Sequence, residues 1–340
     1  MRRTLKRLLS ALLSMVALSA ALVLPAWAHQ QGEETRGILS ETTVPAVTVP
    51  LSSPSLPSIN KTSAEQRPSV LTTDSVPPQG DGGTVIEQQV GGGSAVGGGV
   101  FIKNSSGTQE DWSALLAGDT VTFADTDQPQ VLIVHTHTTE SYMTYYAGYY
   151  NNEDVGRPTD IHKNMCVVGE VLANRLRSAG IGVLHDTTVY DYPEYTGAYG
   201  RSRETVEELT EKYPSIRLVI DLHRDAILRD SVTRVKPTVT VDGQKAAQVM
   251  LVLGAADNDD NPNPTWRENV RLGFRLTSVL ERMAEGITRP ILLTESNYNQ
   301  HLLPSGAMLL LEIGTDVNTF SEAMVSASLV GDALASIMLA

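Results

Sequence analysis

The chain has 340 residues, of which 41% are hydrophobic, so it is long enough for one large domain or two ordinary ones. Its net charge of -13, with no basic run after residue 7, argues against a nucleic-acid-binding protein. The one cysteine, Cys166, excludes an intramolecular disulfide framework, and its place in a helical pattern favours a small buried side chain over a nucleophile.

The first 28 residues have the features of a signal peptide or a membrane anchor. Four basic residues precede the apolar stretch Leu8–Leu24, and Pro25–Ala28 ends it with a small-x-small pattern that a signal peptidase reads. The stretch is close to the ~20 residues that span a bilayer, so cleavage and retention both remain open. Either alternative places the rest of the chain outside the cytoplasmic membrane.

Residues 29–127 are predicted to form a disordered linker. They are rich in Ser, Thr, Pro and Gly, and segments such as Val44–Pro57 and Gly91–Gly99 bury too little apolar area to offset their ordering entropy. A short strand or helix is expected only towards the end of the linker, for example around Asp111–Ala117. The linker would hold a folded domain away from the membrane.

Residues 128–340 alternate between apolar runs of strand length and segments of helical periodicity. This alternation predicts an α/β fold, in which a mostly parallel sheet is flanked by helices on both faces. A turn at Asp242-Gly243 is expected to join two of the strands. The predicted strands are 131–134, 181–184, 216–222, 235–241, 249–254, 291–293 and 308–312, and the predicted helices are 164–179, 203–212, 266–285 and 320–339.

Three of the apolar strands end in residues that bind metals or transfer protons, and sites in such sheets form beyond the carboxyl ends of the strands. Because alternate residues of an extended segment face one side, His135 and His137 are expected to face one volume. Two histidines and one carboxylate meet the ligand number of a catalytic zinc. The three segments are His135-Thr-His137-Thr-Thr-Glu140, Asp221-Leu-His223-Arg224-Asp225 and Glu312-Ile-Gly314.

Two charged residues of these segments have further candidate roles. Glu312 follows four apolar strand residues, so it is either a buried acid paired with an arginine or a general base whose pKa is raised by burial. Arg224 is a candidate to hold a substrate carboxylate.

Candidate substrate contacts lie in polar segments near the same strand ends. They are Asn299 and His301, in the loop that enters the last strand, and Asp225, although a solvated turn is the alternative for the loop. His162, at the start of the first helix, is either a cap or an alternative metal ligand.

Several of these segments resemble the stage II sporulation protein P family of endospore-forming bacteria, over about residues 128–340. More distantly, the order of the motifs is similar to that of zinc-dependent N-acetylmuramoyl-L-alanine amidases. The matching segments are His135–Tyr142, Asp221–Ala226, Asn299–Leu302 and Leu311–Gly314 followed by Asn318-Thr319, and the region Asp186–Tyr199, with its Tyr-Asp-Tyr-Pro pattern, is similar as well.

The amidase resemblance implies that His223 is a zinc ligand and that Glu312 assists catalysis. It leaves open whether His135 or His137 is the first ligand. The place of the amidases' second ligand holds Asp160-Ile-His162, so the third ligand is Glu140, which we prefer, or His162.

The family resemblance also implies a function. It implies Zn²⁺-dependent cleavage of the bond between N-acetylmuramic acid and L-alanine in peptidoglycan, and cleavage within stem-peptide cross-links as well. It implies work during forespore engulfment beside the membrane-associated stage II sporulation proteins D and M. The alternatives are a metallopeptidase that acts only on stem peptides and a non-catalytic scaffold that binds peptidoglycan.

Overall fold

The computed structural model describes residues 82–124, 126–258 and 262–340. The predicted signal or anchor and the first part of the predicted linker lie outside the described residues. The strands are β1 (Gly83–Gln88), β2 (Ser94–Gly97), β3 (Val100–Asn104), β4 (Pro129–Val134), β5 (Tyr149–Tyr150), β6 (Gly182–His185), β7 (Leu218–Asp225), β8 (Thr233–Val241), β9 (Gln244–Ala247), β10 (Val249–Gly254), β11 (Ile291–Thr294) and β12 (Ala307–Thr315). The helices are α1 (Trp112–Ala117), α2 (Met165–Ser178), α3 (Ala198–Lys212), α4 (Trp266–Met283) and α5 (Phe320–Met338).

The main sheet has eight strands in the order β2-β3-β11-β10-β12-β7-β4-β6, and it is mixed. Strands β12, β7, β4 and β6 are parallel, but β10 is antiparallel to β12, and β11 and β3 follow the direction of β10. Five of its seven strand pairs are parallel, and only β10–β12 and β2–β3 are antiparallel, so the prediction of a mostly parallel sheet is confirmed, with one reversal inside the sheet. The strand direction reverses at β10 because the hairpin β8–β9, and not a crossover helix, connects β7 to β10. The chain therefore re-enters the main sheet at the edge where β7 ended.

A second sheet has the strand order β5-β1-β8-β9. Asp242 and Gly243 both have positive φ, 49° and 80°, as in the tight turns that suit a two-residue hairpin. The predicted turn is thus present, but it joins β8 to the short strand β9, whereas Val249–Gly254 belongs to the main sheet.

The predicted linker extends too far into the folded region. Strand β1 lies between β5 and β8, and β3 pairs with β11, so both are integral to the two sheets. Val85 and Ile102 are buried. The expected helix near the end of this region is confirmed as α1, whose N-cap Asp111 accepts a hydrogen bond from the backbone N–H of Ala114.

The helices are distributed unequally over the main sheet. Residues of α1, α2, α4 and α5 pack with one set of alternate strand residues, whereas α3 packs through Val206 against Leu132 and Val219 of the other set. One face therefore carries four helices and the other carries α3. Among the described helices, α5 alone is long and apolar enough to cross a bilayer, but Ala327, Val330 and Leu334 bury it in this core.

Candidate metal centre

The carboxyl ends of β4, β7 and β12 meet at one edge of the main sheet, because these strands are parallel neighbours. Glu312 lies directly opposite His223 in the β12–β7 register. Adjacent strands are about 4.8 Å apart, and paired residues of parallel strands project from the same face. The two side chains that were predicted from separate segments are therefore neighbours.

The chain does not continue as a strand beyond β4. Residues 136–139 form a turn, in which the backbone N–H of Glu140 donates to the carbonyl of His137 at 3.0 Å. Asp221 fixes the start of the turn by accepting hydrogen bonds from the backbone N–H and the hydroxyl of Thr136. The turn ends the alternation of side-chain direction, so the expectation that His135 and His137 face one volume is wrong.

His137, Glu140 and His223 form a group whose ligand atoms all lie within 4.8 Å of one another. Nδ1 of His137 is 3.7 Å from Oε1 of Glu140, and Nδ1 of His223 is 3.5 Å from Oε2. Two imidazoles and one carboxylate are a donor set that suits catalytic zinc. The other ring nitrogen of His223, Nε2, lies 2.8 Å from Oδ1 of Asp221, which is the carboxylate–histidine arrangement that orients metal ligands.

The electrostatics of this group favour a bound cation. Burial by itself would lower the pKa of His223, but the carboxylates of Asp221 and Glu140 raise it well above its ordinary value. Burial opposes ionisation of Glu140, yet hydrogen bonding and charge from His223, with the charge of Arg224, lower its pKa. The surroundings thus stabilise positive charge between the carboxylates, as a divalent metal requires.

Glu312 has the properties of a general base. Its Oε2 atom is buried and has no hydrogen-bond partner among the described residues. Burial raises the pKa of this carboxyl to about 8, against the opposing charge of His223. A carboxyl group whose pKa lies near neutral pH, and which is adjacent to a candidate metal ligand, can accept a proton from a metal-bound water.

His135 has a structural environment instead of a ligand position. Its Nδ1 lies 3.0 Å from the carbonyl of Leu222, and its Nε2 lies 2.9 Å from Nε2 of His185. His185 is in turn 2.9 Å from Glu170. Burial, with the charge of His185, lowers the pKa of His135 to about 3. Both ring nitrogens are therefore engaged away from the group formed by His137.

Arg224 and His162 do not have the surroundings that their predicted roles need. Arg224 is buried, its backbone N–H donates to Oε2 of Glu140, and its Nε donates to the carbonyl of Ser141. It positions Glu140 and has little surface left for a substrate carboxylate. His162 is exposed and lies outside the ligand group, where its backbone N–H donates to Asp160.

The three residues predicted to contact substrate have different partners in the structure, and none of them belongs to the group of candidate ligands. Asn299 donates to the carbonyl of Tyr199, whose ring stacks on His223 with centroids 6.4 Å apart. Nε2 of His301 accepts a hydrogen bond from Nη2 of Arg203 at 2.5 Å. Asp225 forms an ion pair with Arg289 at 2.8 Å.

Four residues around the centre were given no role from the sequence, although three of them lie in the family-like region Asp186–Tyr199. Arg157 lies 3.2 Å from Oε1 of Glu140 and 3.1 Å from Asp191, which also accepts from the hydroxyl of Thr139. Tyr195 stacks on His137 at 4.6 Å, and Tyr199 meets the same ring edge-on. Arg157, Asp191 and Tyr195 lie in irregular segments, and Tyr199 lies at the start of α3. The density of tyrosines between 190 and 199 is the available signal for the last two.

The fold and the site define a mixed α/β protein with a candidate His₂Glu metal centre at the carboxyl edge of its sheet. Residues 64–335 match the family model described as Stage II sporulation protein P (SpoIIP). The chain belongs to this family, so the resemblance noted from its motifs is confirmed.

Known proteins resemble the chain to different extents. It is 27% identical over 217 residues to the stage II sporulation protein P of Bacillus subtilis (strain 168), a match that covers 61% of this chain. The chain spans 50% of that relative's length.

The solved structures that resemble the chain are less similar in sequence. The CwlD amidase of Clostridioides difficile, solved in complex with the GerS lipoprotein, is 12% identical with a TM-score of 0.37, over 61% of this chain and 98% of that one. An N-acetylmuramoyl-L-alanine amidase from Clostridium difficile 630 is 14% identical with a TM-score of 0.36, over 63% and 96%.

Proposed function

We propose that the protein is a zinc-dependent peptidoglycan hydrolase that cleaves the amide bond between N-acetylmuramic acid and L-alanine. The observation that carries this proposal is the grouping of His137, Glu140 and His223 beside Glu312. Membership of the SpoIIP family supports peptidoglycan as the substrate. Cleavage within stem-peptide cross-links is a second activity that the same centre would support.

In the proposed amide hydrolysis, one set of residues binds the metal and another residue transfers the proton. Zinc, when bound, supplies Lewis-acid polarisation and lowers the pKa of a coordinated water. His137, Glu140 and His223 would hold it, with Asp221 orienting the ring of His223. Glu312 accepts the proton of the attacking water and returns it to the leaving nitrogen of L-alanine.

The same proposal extends to cellular context. The protein would act outside the cytoplasmic membrane, either secreted or held by its N-terminal segment, during forespore engulfment. Its partners would be the membrane-associated stage II sporulation proteins D and M. Family membership supports this setting, and co-purification of the three proteins from sporulating cells would test it.

Substituting Glu312 and His223 separates metal binding from proton transfer. We expect Glu312→Gln to retain zinc while losing about 10²- to 10⁴-fold in kcat, because the amide cannot accept the water's proton. We expect His223→Ala to lose both zinc and activity, because one of three ligands is removed. The exposed Glu211→Gln, at the far end of α3, is the matched control for the first variant and should behave as wild type.

Metal content by mass spectrometry and product analysis of digested sacculi are the measurements. An amidase releases intact stem peptides from the glycan, whereas a peptidase cuts the peptides and leaves L-alanine attached. A fully active Glu312→Gln enzyme would remove the assignment of the base. Sacculi that are bound without release of any peptide would replace the hydrolase with a scaffold.

A further inference from the structure

A cavity of about 250 Å³ lies against Arg289, outside the metal centre. At about 30 Å³ per water, it has room for about eight waters, or one peptide residue with its solvent. Its walls come from the glycine-rich segment before β3 and from the connection between α4 and β11. Among the described lining residues Arg289 is the only cation; the lining includes Gly91, Gly92, Phe101, Glu281, Glu285 and Pro290.

Arg289 is a buried cation with unused hydrogen-bond donors. The residue is 8% exposed, and its Nη2 pairs with Oδ2 of Asp225 at 2.8 Å. Its Nε and Nη1 atoms are buried and have no partner among the described residues. Buried N–H groups without an acceptor are costly, and those of a charged group more so. This cost indicates that a further acceptor belongs at Arg289.

The position of Arg289 links the cavity to the catalytic edge. Its backbone N–H donates to the carbonyl of Val249, and Val249 pairs with Ile313, the residue after Glu312. Its ion-pair partner Asp225 lies two residues after His223 on β7. A substrate whose scissile amide lies at Glu312 would therefore pass close to this guanidinium.

The acids in the cavity wall do not supply the acceptor that Arg289 lacks. Both carboxylate oxygens of Glu281 accept backbone N–H groups instead, those of Gly286 and Thr288. Glu285 is exposed to solvent. Gly91 and Gly92 leave open space where a side chain would project, so the wall opposite admits a ligand. The missing acceptor is then best supplied by an anionic ligand of the planar kind that arginine prefers.

We propose that this cavity binds a free carboxylate of the substrate's stem peptide, with Arg289 as the hydrogen-bond donor. The inference rests on the proposed function for the identity of the peptide. It assigns to Arg289 the substrate-holding role predicted for Arg224, whose Nε already donates to Ser141, whereas Nε and Nη1 of Arg289 have no partner among the described residues. Binding involves no covalent step, so it can be measured apart from hydrolysis.

The test compares two muropeptides that differ only in whether one stem-peptide carboxyl is free or amidated. Binding to the full-length, zinc-loaded Glu312→Gln protein is measured by calorimetry, so that hydrolysis does not interfere. We expect about 10- to 100-fold tighter binding of the free carboxylate, as for a hydrogen bond to a charged group. Adding Arg289→Gln should abolish the preference, Arg289→Lys should retain part of it, and the exposed Arg282→Gln should leave it unchanged.

The outcomes separate this inference from the proposed function. Equal affinity of the Glu312→Gln protein for the two muropeptides overturns the carboxylate site, and this arm needs no change at Arg289. An equal loss for both muropeptides in Arg289→Gln also overturns it, since the role is then structural. If wild type releases no peptide from glycan but the preference depends on Arg289, the hydrolase proposal fails and the binding site stands.

Discussion

The carboxylate of Glu140 is held by three parts of the protein. The backbone N–H of Arg224 donates to Oε2, Arg157 lies against Oε1, and Nδ1 of His223 lies 3.5 Å from Oε2. A ligand that is already oriented loses less entropy when a metal binds, and outer groups of this kind are worth about 10- to 100-fold in metal affinity. The centre is therefore organised by its surroundings as well as by its ligands.

Substitution of the two neighbouring histidines should have different consequences. We expect His137→Ala to lose zinc with little change in the stability of the metal-free protein, because His137 is partly exposed at the site. We expect His135→Ala to retain zinc but to lose about 1–3 kcal/mol of unfolding free energy, because the buried groups around it lose their partner. Metal analysis and urea unfolding of both variants are the checks. Loss of zinc in His135→Ala alone would reverse the assignment of the ligand.

The sequence could identify most of the site but could not choose between these histidines. His223, Glu312 and Glu140 stand at or just after the ends of strong apolar runs, so their meeting follows from parallel pairing. The choice of His137 depends on the turn at 136–139, which Asp221 stabilises from a distant strand. Arg157 and Asp191 reach the site from irregular loops, where no periodicity marks a position.

At the scale of elements, α2 approaches β4 closely at one glycine. A Cβ atom on Gly169 would lie 2.5 Å from Nε2 of His135 and 2.7 Å from Nε2 of His185. The absence of a side chain at this position therefore lets the buried histidine pair pack beneath the helix. This packing fixes the end of β4, from which the turn with His137 and Glu140 begins.

Substituting Gly169 tests this contact against ordinary helix propensity. Alanine in place of glycine normally stabilises a helix by about 0.8–1 kcal/mol. We expect Gly169→Ala to destabilise the protein instead, by roughly 1–3 kcal/mol, because overpacking displaces the imidazoles. Gly200→Ala in α3 is the matched control, since nothing lies within 4 Å of its added Cβ, and it should be neutral or stabilising. A rise in the urea midpoint for both variants would contradict the close approach.

The strength of the local signal decides which elements the sequence predicts. Strands β4, β7 and β12 each contain an uninterrupted apolar run, and α2 ends before Gly180 as its pattern indicates. Strands β1–β3 are short and separated by glycine-rich segments, so the composition of this region is that of a linker. Their order is imposed by partners far along the chain, such as β8 and β11. The reversed direction of β10 likewise depends on where the hairpin β8–β9 returns the chain to the main sheet, and no local pattern encodes that position.

At the scale of the whole molecule, the two sheets depend on residues before position 128. Strand β1 is flanked on both sides in the second sheet, and its Val85 packs with Met143, Tyr150 and Val317. Strand β3 covers the edge of β11 in the main sheet. The folded unit therefore begins well before the predicted domain boundary.

Truncation at that boundary should prevent cooperative folding. A chain of residues 128–340 lacks β1, β2, β3 and α1, so it would expose the edge of β11 and the apolar residues that Val85 and Leu115 cover. We expect this chain to aggregate or to unfold without a sharp urea transition. A chain of residues 64–340, which retains the start of the family match, is the control and should unfold cooperatively near the midpoint of the full-length protein. If both truncated chains had the same midpoint and bound zinc equally, the N-terminal strands would be dispensable, and the boundary at residue 128 would be restored.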